Sequence, residues 1–237
     1  MLKDKNINEI QGSSTTLLLR KNLNLAMYLD AGSTGTRAIY YDNDISVEDI
    51  PETVEYSSDY AMLDFDEDVS DLNPNSTAIM DNFEVNLYKS GSKLFKFLKG
   101  KLASMAGTER RSSSAKSKME QESTLVNIHS TIISNIMEYI VDNEFDIDMS
   151  TTINIDLSLA LPPEDTEKQR IERIKKELAG VYIAELPRIN NLKFSYTLNE
   201  DLITITSECN ATAMFFMTMT KEGTEVLQNE YNAIVFE

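Results

Sequence analysis

Apolar and polar positions along this chain change period several times, and each change marks an element. Residues 25–29 (LAMYL) form a short apolar run of strand length. They lead directly into residues 30–37 (DAGSTGTR), and residues 38–41 resume the strand pattern before the turn sequence Asp42-Asn43-Asp44. This spacing predicts a hairpin whose loop is rich in small and hydroxyl residues. Over 125–141 the period lengthens: Leu125, Ile128, Ile132, Ile133, Ile136, Met137 and Ile140 fall on one helical stripe. Residues 151–161 alternate again as a strand. Pro162-Pro163 ends it, because neither proline can donate to a ladder.

A second helix is expected over 166–178, with Thr166 and Gln169 spaced as a capping box and Gly180 as its C-terminal stop. Residues 181–186, 192–198 and 202–206 read as three strands. Residues 208–227 read as a helix weakened by Thr212, Thr218 and Thr220, and 233–236 as a final strand. Residues 1–24 are polar apart from Leu17, Leu18 and Leu19, and are expected to be an extension holding at most one short strand. No internal repeat is evident. The alternation of strands and helices predicts a mixed α/β fold.

Composition narrows the chemistry. The chain has 237 residues, 41% of them apolar, which suits one large domain or two small ones. A single cysteine excludes an internal disulfide framework, and the sole histidine, His129, leaves no His-pair metal site. A net charge of -17 opposes non-specific binding to a phosphate backbone. No apolar run reaches the 18 or so residues of a spanning helix, and no signal-peptide pattern opens the chain, so a cytoplasmic protein without a membrane role is expected. Charge is also segregated. Residues 42–71 carry twelve acidic and no basic side chains, while 89–118 carry nine basic ones opposed only by Glu109. The two stretches are complementary, which suits contact with each other or with another subunit; both also suit solvated faces of a variable subdomain. Residues 107–114 (GTERRSSS) read as an exposed loop.

The loop over 30–37 is the sharpest candidate for chemistry. Gly32 and Gly35 let the backbone approach a ligand closely, and Ser33, Thr34 and Thr36 add hydroxyls to the backbone N–H groups. Together they make a nest suited to phosphate oxygens. Asp30 could hold a divalent metal through water, and Arg37 adds positive charge beside the cradle. An ordinary tight hairpin has the same composition, and no G-x-x-x-x-G-K-[ST] loop is present. Glu208, between a strand and a helix, suits the positioning of an attacking water, and equally a first-turn helix carboxylate. Cys209 and His129 read as packing residues rather than catalytic ones.

In this order the motifs resemble the actin–Hsp70–sugar kinase superfamily, and within it the bacterial plasmid-segregation actins, the ParM-like proteins. LDAGSTGTR resembles the first phosphate loop and TLVNIHSTIISNIMEYI the helix crossing beneath the first domain. INIDLSLALPP resembles the strand and turn that follow, and TEKQRIERIKKELAGVY the next lysine-rich helix and strand. ITSECNATAMFF resembles the "PE" segment, and YNAIVFE the strand entering the second phosphate loop. The resemblance spans residue 25 to the end, with 42–118 poorly matched. It is closer to ParM than to the ecto-apyrases, whose DAGSTGTR wording is similar but which are typically secreted or anchored.

The resemblance implies an actin-like (ribonuclease H-like) mixed sheet flanked by helices. A first domain would run from 25 to 150 with a variable insert over 42–118, and 151–237 would hold the rest of that domain and the start of a second. It implies ATP or GTP with Mg2+ as cofactors, Asp30 as the metal-associated residue, and Gly32, Ser33, Thr34, Gly35, Thr36 and Arg37 as the phosphate cradle. Arg37 stands where the family often has Lys. Glu208 would position the hydrolytic water, with Ser207 in place of the family's proline. It further implies a homopolymer driven by nucleotide and a link to DNA only through an adaptor protein. The alternatives are a catalytically degenerate scaffold of the same fold and a monomeric nucleotidase or kinase. The chain stops on the strand that would deliver the second phosphate loop, so the sequence alone predicts an incomplete cleft, with weak or absent nucleotide binding and no hydrolysis by these residues alone.

Overall fold

A computed structural model describes residues 6–7, 18–19, 21–31, 35–43, 53–57, 59–107, 119, 122–143 and 145–207. The expected hairpin is present as β2 (Asn22–Ala31) and β3 (Gly35–Asp42), antiparallel and in register from Leu25 opposite Asp42 to Ala31 opposite Thr36. A two-residue strand, β1 (Leu18–Leu19), precedes it and pairs in parallel with β8 (Phe145–Asp146). Strand β9 (Thr152–Leu161) lies parallel to β2, and β11 (Leu192–Ser207) runs parallel to β9 on its other side. With β4 (Val54–Ser57), β5 (Tyr60–Leu63), β6 (Glu84–Lys89), β7 (Ser92–Lys99) and β10 (Gly180–Leu186), they form one nine-stranded sheet in the order β4-β3-β2-β9-β11-β10-β6-β7-β5. This mixed sheet flanked by helices is the α/β architecture expected from the sequence.

Three departures from the sequence reading have local causes. The strands expected at 192–198 and 202–206 are one 16-residue strand. Its register against β9 shifts between Leu198 and Ile203, so the polar residues Asn199, Glu200 and Asp201 are absorbed as an irregularity rather than a turn. The helix expected from 166 begins at Lys168, with Glu167 as its N-cap residue and no side-chain cap. Thr166 instead donates its hydroxyl to the Pro163 carbonyl (2.8 Å), closing a 3-10 turn over Pro163–Asp165. Strands β4 to β7 fall in the charged region that hydrophobic patterning did not resolve.

One helix organises the core. The helices are α1 (Gly100–Ala106), α2 (Glu122–Asp142) and α3 (Lys168–Leu178). Every residue of α2 from Val126 to Ile140 is buried, so its polar side chains must find partners inside. Asn127 accepts from Lys99 Nζ (2.9 Å) under one end of the sheet. Under the other, Asn135 and Glu138 accept from the Tyr56 hydroxyl (2.7 and 3.1 Å), and Tyr139 donates to Asp42. The helix thus ties β7 at one side of the sheet to β3 and β4 at the other. Its apolar stripe packs with the inward residues of β2 and β9, among them Leu25, Met27, Leu29, Ile155, Leu157 and Leu159, all 2% exposed or less. Residues Ile174 and Leu178 of α3 join this core, which places α3 on the same face of the sheet.

The acidic and basic stretches meet within the chain. Strand β5 pairs with β7, Tyr60 opposite Lys99 and Leu63 opposite Lys96. The acidic segment 64–72 then crosses the sheet face opposite α2, where Val69 and Leu72 pack with Ala61, Leu98, Leu102 and Ala103 in a second, smaller core. Arg188 fastens it: its guanidinium donates to Glu84 (2.8 Å) and to the carbonyls of Leu72 (2.7 Å) and Val69. Lys96 donates to the Glu67 carbonyl and sits 3.8 Å from Glu84.

Candidate functional site

Strands β2, β9 and β11 are parallel, so their carboxyl ends emerge at one edge, and the registers fix what meets there. Asp30 lies opposite Ala160 of β9, Ala160 opposite Thr206 of β11, and Leu161 opposite Ser207. The end of β2 and the end of β11 are therefore level and two strand spacings apart, about 10 Å. From β2 the chain turns back through β3 and β4 on one side. From β9 it continues to β10 and β11 on the other. The gap between β2 and β9 is thus a topological switch point, the place at a sheet's carboxyl edge where open α/β sheets bind ligands.

Side chains alternate across the sheet, so the hairpin divides its candidates between two faces. Asp30 pairs with Arg37 and both belong to the face away from α2; Asp30 is half-buried and Arg37 exposed. Arg37 Nε also lies 3.9 Å from Glu55 Oε1, with both side chains about two-thirds exposed at 66% and 67%, a pairing that solvent largely screens. Thr36 turns the other way, toward α2. It is 1% exposed, and its Oγ1 has no hydrogen-bond partner. A buried hydroxyl left unpaired costs about 1–3 kcal/mol, and among the described residues Asn86 Oδ1 and Thr131 Oγ1 are in the same position. Gly35 opens β3. Gly32, Ser33, Thr34, Glu208 and Cys209 lie outside the described residues, as do the helix expected over 208–227 and the strand over 233–236.

The turn after β9 contributes a pair that patterning treated only as a strand stop. Asp165 is wholly buried and accepts from Arg170 Nη1 at 3.2 Å, just past the edge formed by Leu161. The sequence signal was an acidic residue after Pro-Pro with an arginine five positions on, the spacing of a turn folding onto the first turn of a helix.

His129 is excluded from chemistry. It is 2% exposed inside α2, its Nδ1 lies 2.8 Å from the Tyr196 hydroxyl, and its ring packs 4.5 Å from that of Tyr182. Burial, and secondarily the charge of Lys89, push its pKa down to about 3, so the imidazole is neutral and structural. Burial likewise lowers Lys99 to about 7, partly opposed by Asp59.

Among the described residues no group of three His, Cys, Asp or Glu side chains could hold a metal by itself. Asp30 stands as a single half-buried carboxylate at the carboxyl edge, and Mg2+ is an ion that keeps most of its waters and needs only one or two carboxylates besides a substrate's phosphates. No helix among the described residues is long and apolar enough to cross a membrane.

No protein-family model matches the chain, and no curated protein does. Solved structures do. The chain is similar to an apo psk41 ParM protein, with 12% identity and a TM-score of 0.50, covering 78% of this chain and 49% of that one. It is similar also to an AlfA filament bound to AMPPNP, with 10% identity and a TM-score of 0.50, covering 78% of this chain and 54% of that one. The chain thus spans about half the length of the solved structures it matches. At such identities the likeness concerns backbone rather than chemistry, and it agrees with the strand order and helix placement described above: this chain has an actin-like fold.

Proposed function

We propose that the carboxyl edge of β2, β9 and β11 holds the phosphates of ATP or GTP, and that the protein is an actin-like nucleotide-binding protein that polymerises and hydrolyses its nucleotide. The observation that carries this reading is the register. It sets Asp30 and Ser207, the residue before Glu208, level on one edge across a switch point. In this reading the backbone of Gly32, Ser33, Thr34 and Gly35 cradles the phosphates, and Arg37, on the same face as Asp30, supplies a charged donor to them. Glu208 accepts a hydrogen bond from the attacking water and so fixes its approach. Mg2+, when bound, supplies charge neutralisation on the phosphate oxygens, with Asp30 reaching it through water.

Polymerisation needs a head-to-tail contact that does not close, and service to DNA segregation would run through an adaptor, since a net charge of -17 opposes direct binding. Sedimentation with and without ATP and Mg2+, with phosphate release read in parallel, tests the reading. In a polypeptide that supplies both phosphate loops, nucleotide-dependent pelleting and release that is lost in Glu208→Ala are expected. Release independent of protein concentration, with no pelleting, would make the protein a monomeric nucleotidase; neither signal would leave a scaffold of the same fold.

A further inference from the structure

The strands at the two edges of the nine-stranded sheet, β4 and β5, are consecutive in the chain. Strand β4 ends at Ser57 and β5 begins at Tyr60, so the join spans about 11 Å at most. Laid flat, the first and last of nine strands would stand about 38 Å apart. The sheet therefore curls until its edges are neighbours. Helix α2 gives the same result independently. Asn127 bonds Lys99 of β7 and Asn135 bonds Tyr56 of β4, yet the helix rises only about 12 Å between them. Both ends of the sheet thus close on nearby turns of one helix.

The two edge strands also keep a single alternation. Val54, Tyr56 and Tyr60 face the core around α2, with Met62 packed against it, whereas Ala61 and Leu63 belong to the second core. Each strand has its own tie. Strand β4 pairs with the half of β3 nearest the loop, from Gly35 opposite Ser57 to Ala38 opposite Val54. The Tyr56 hydroxyl anchors it to Asn135 and Glu138 (2.7 and 3.1 Å). Strand β5 pairs with the end of β7, where Lys99 lies opposite Tyr60 and is anchored to Asn127 (2.9 Å). Asn127, Asn135 and Glu138 share one side of α2, so both ties run to the same face.

We infer that β4 and β5 act as one strap across this seam, coupling the exit of the 30–37 loop to the second core that segment 64–72 covers. The join is too short to absorb independent movement of the two strands, and α2 holds both ends against one rigid element. Loosening β4 therefore loosens β5, and the reverse holds equally. The coupling needs no nucleotide.

Amide hydrogen exchange of the full chain tests the strap. Tyr56→Phe keeps the ring but removes the hydroxyl held by Asn135 and Glu138, and should speed exchange across 35–38 and 54–57 roughly tenfold. Exchange across 60–63 and 96–99, at the far end of the strap, should rise with it, while Ala184 and Phe194, paired between β10 and β11, stay unchanged. The reverse perturbation, Lys99→Met with Asn127→Leu, replaces the other tie by apolar groups and should speed exchange across 54–57. Exchange that is unchanged, or faster only at the perturbed end, in either variant would overturn the inference. Equal acceleration at Ala184 and Phe194 would overturn it too, because the whole fold would then have loosened.

Discussion

Arg188 is the residue on which the acidic segment hangs, and replacing it gives a prediction that can be worked from the geometry. Its guanidinium donates from Nε to Glu84 at 2.8 Å and from its two amino groups to the carbonyls of Leu72 and Val69, in surroundings where Glu84 is 9% and Arg188 18% exposed. Arg188→Ala removes three charge-assisted bonds and leaves a buried carboxylate with Lys96, 3.8 Å away, as its nearest cation. Breaking one side of a buried pair typically costs 3–5 kcal/mol. Because Lys96 remains, the lower end applies, about 3 kcal/mol. With urea slopes of roughly 1–3 kcal/mol per molar, the unfolding midpoint should fall by about 1–3 M. Amide exchange across 64–72 should accelerate more than in α2, since the segment's second core is small. Arg188→Lys keeps the charge but lacks the planar set of donors that reaches all three acceptors, so it should recover about half of the loss. A loss below about 1 kcal/mol with exchange across 64–72 unchanged would mean that Arg188 adds nothing beyond what a surface pair supplies.

Two further outcomes follow from the core and one tight turn. His129 titrates near 3 when folded and near 6.5 when unfolded, so the unfolded chain binds the extra proton between those values. Its contribution is complete above about pH 6.5 and is lost as pH falls toward 3; between pH 7 and 4 the wild type should lose about 3 kcal/mol more than His129→Gln, read by urea titration at each pH. Equal losses would mean that the imidazole is not held neutral. At Gly100, φ is +61° and a Cβ would overlap the Met80 carbonyl oxygen, so Gly100→Ala should cost more than about 2 kcal/mol in thermal or urea unfolding. A neutral result would show that this junction between β7 and α1 yields easily.

The elements legible in the sequence were those whose burial is one-sided and regular. The stripe from Leu125 to Ile140 marked α2 within a few residues of its ends, and the alternation over 151–161 marked β9 almost to the residue. Strands β6 and β7 escaped notice because charge masked them. Lys96 and Lys99 are buried at 7% and 3%, and their ends are satisfied by partners far along the chain, which no local pattern announces. The complementarity of the acidic and basic stretches was visible as composition, but only the pairing of β5 with β7 decided that they meet in one molecule. His129 could be read as a packing residue from its neighbours, whereas Tyr196, which satisfies it, is 67 positions away. At the candidate site, the adjacency of Asp30 and Arg37 follows from a tight hairpin. That Ser207 is level with them required the register of a parallel strand reached only after three intervening elements.

Mg2+-dependent nucleotide binding is the property on which the assignment of this edge rests. Calorimetric titration of the full chain with a non-hydrolysable ATP analogue and Mg2+ should show a single weak site per chain. Asp30→Ala should weaken it at least tenfold, about 1.4 kcal/mol, and Arg37→Ala by less, with unfolding midpoints unchanged because Asp30 is half-buried and Arg37 exposed at the edge. Binding of equal strength in the wild type and Asp30→Ala, or a site that survives removal of Mg2+ unchanged, would contradict the assignment of nucleotide phosphates to this edge.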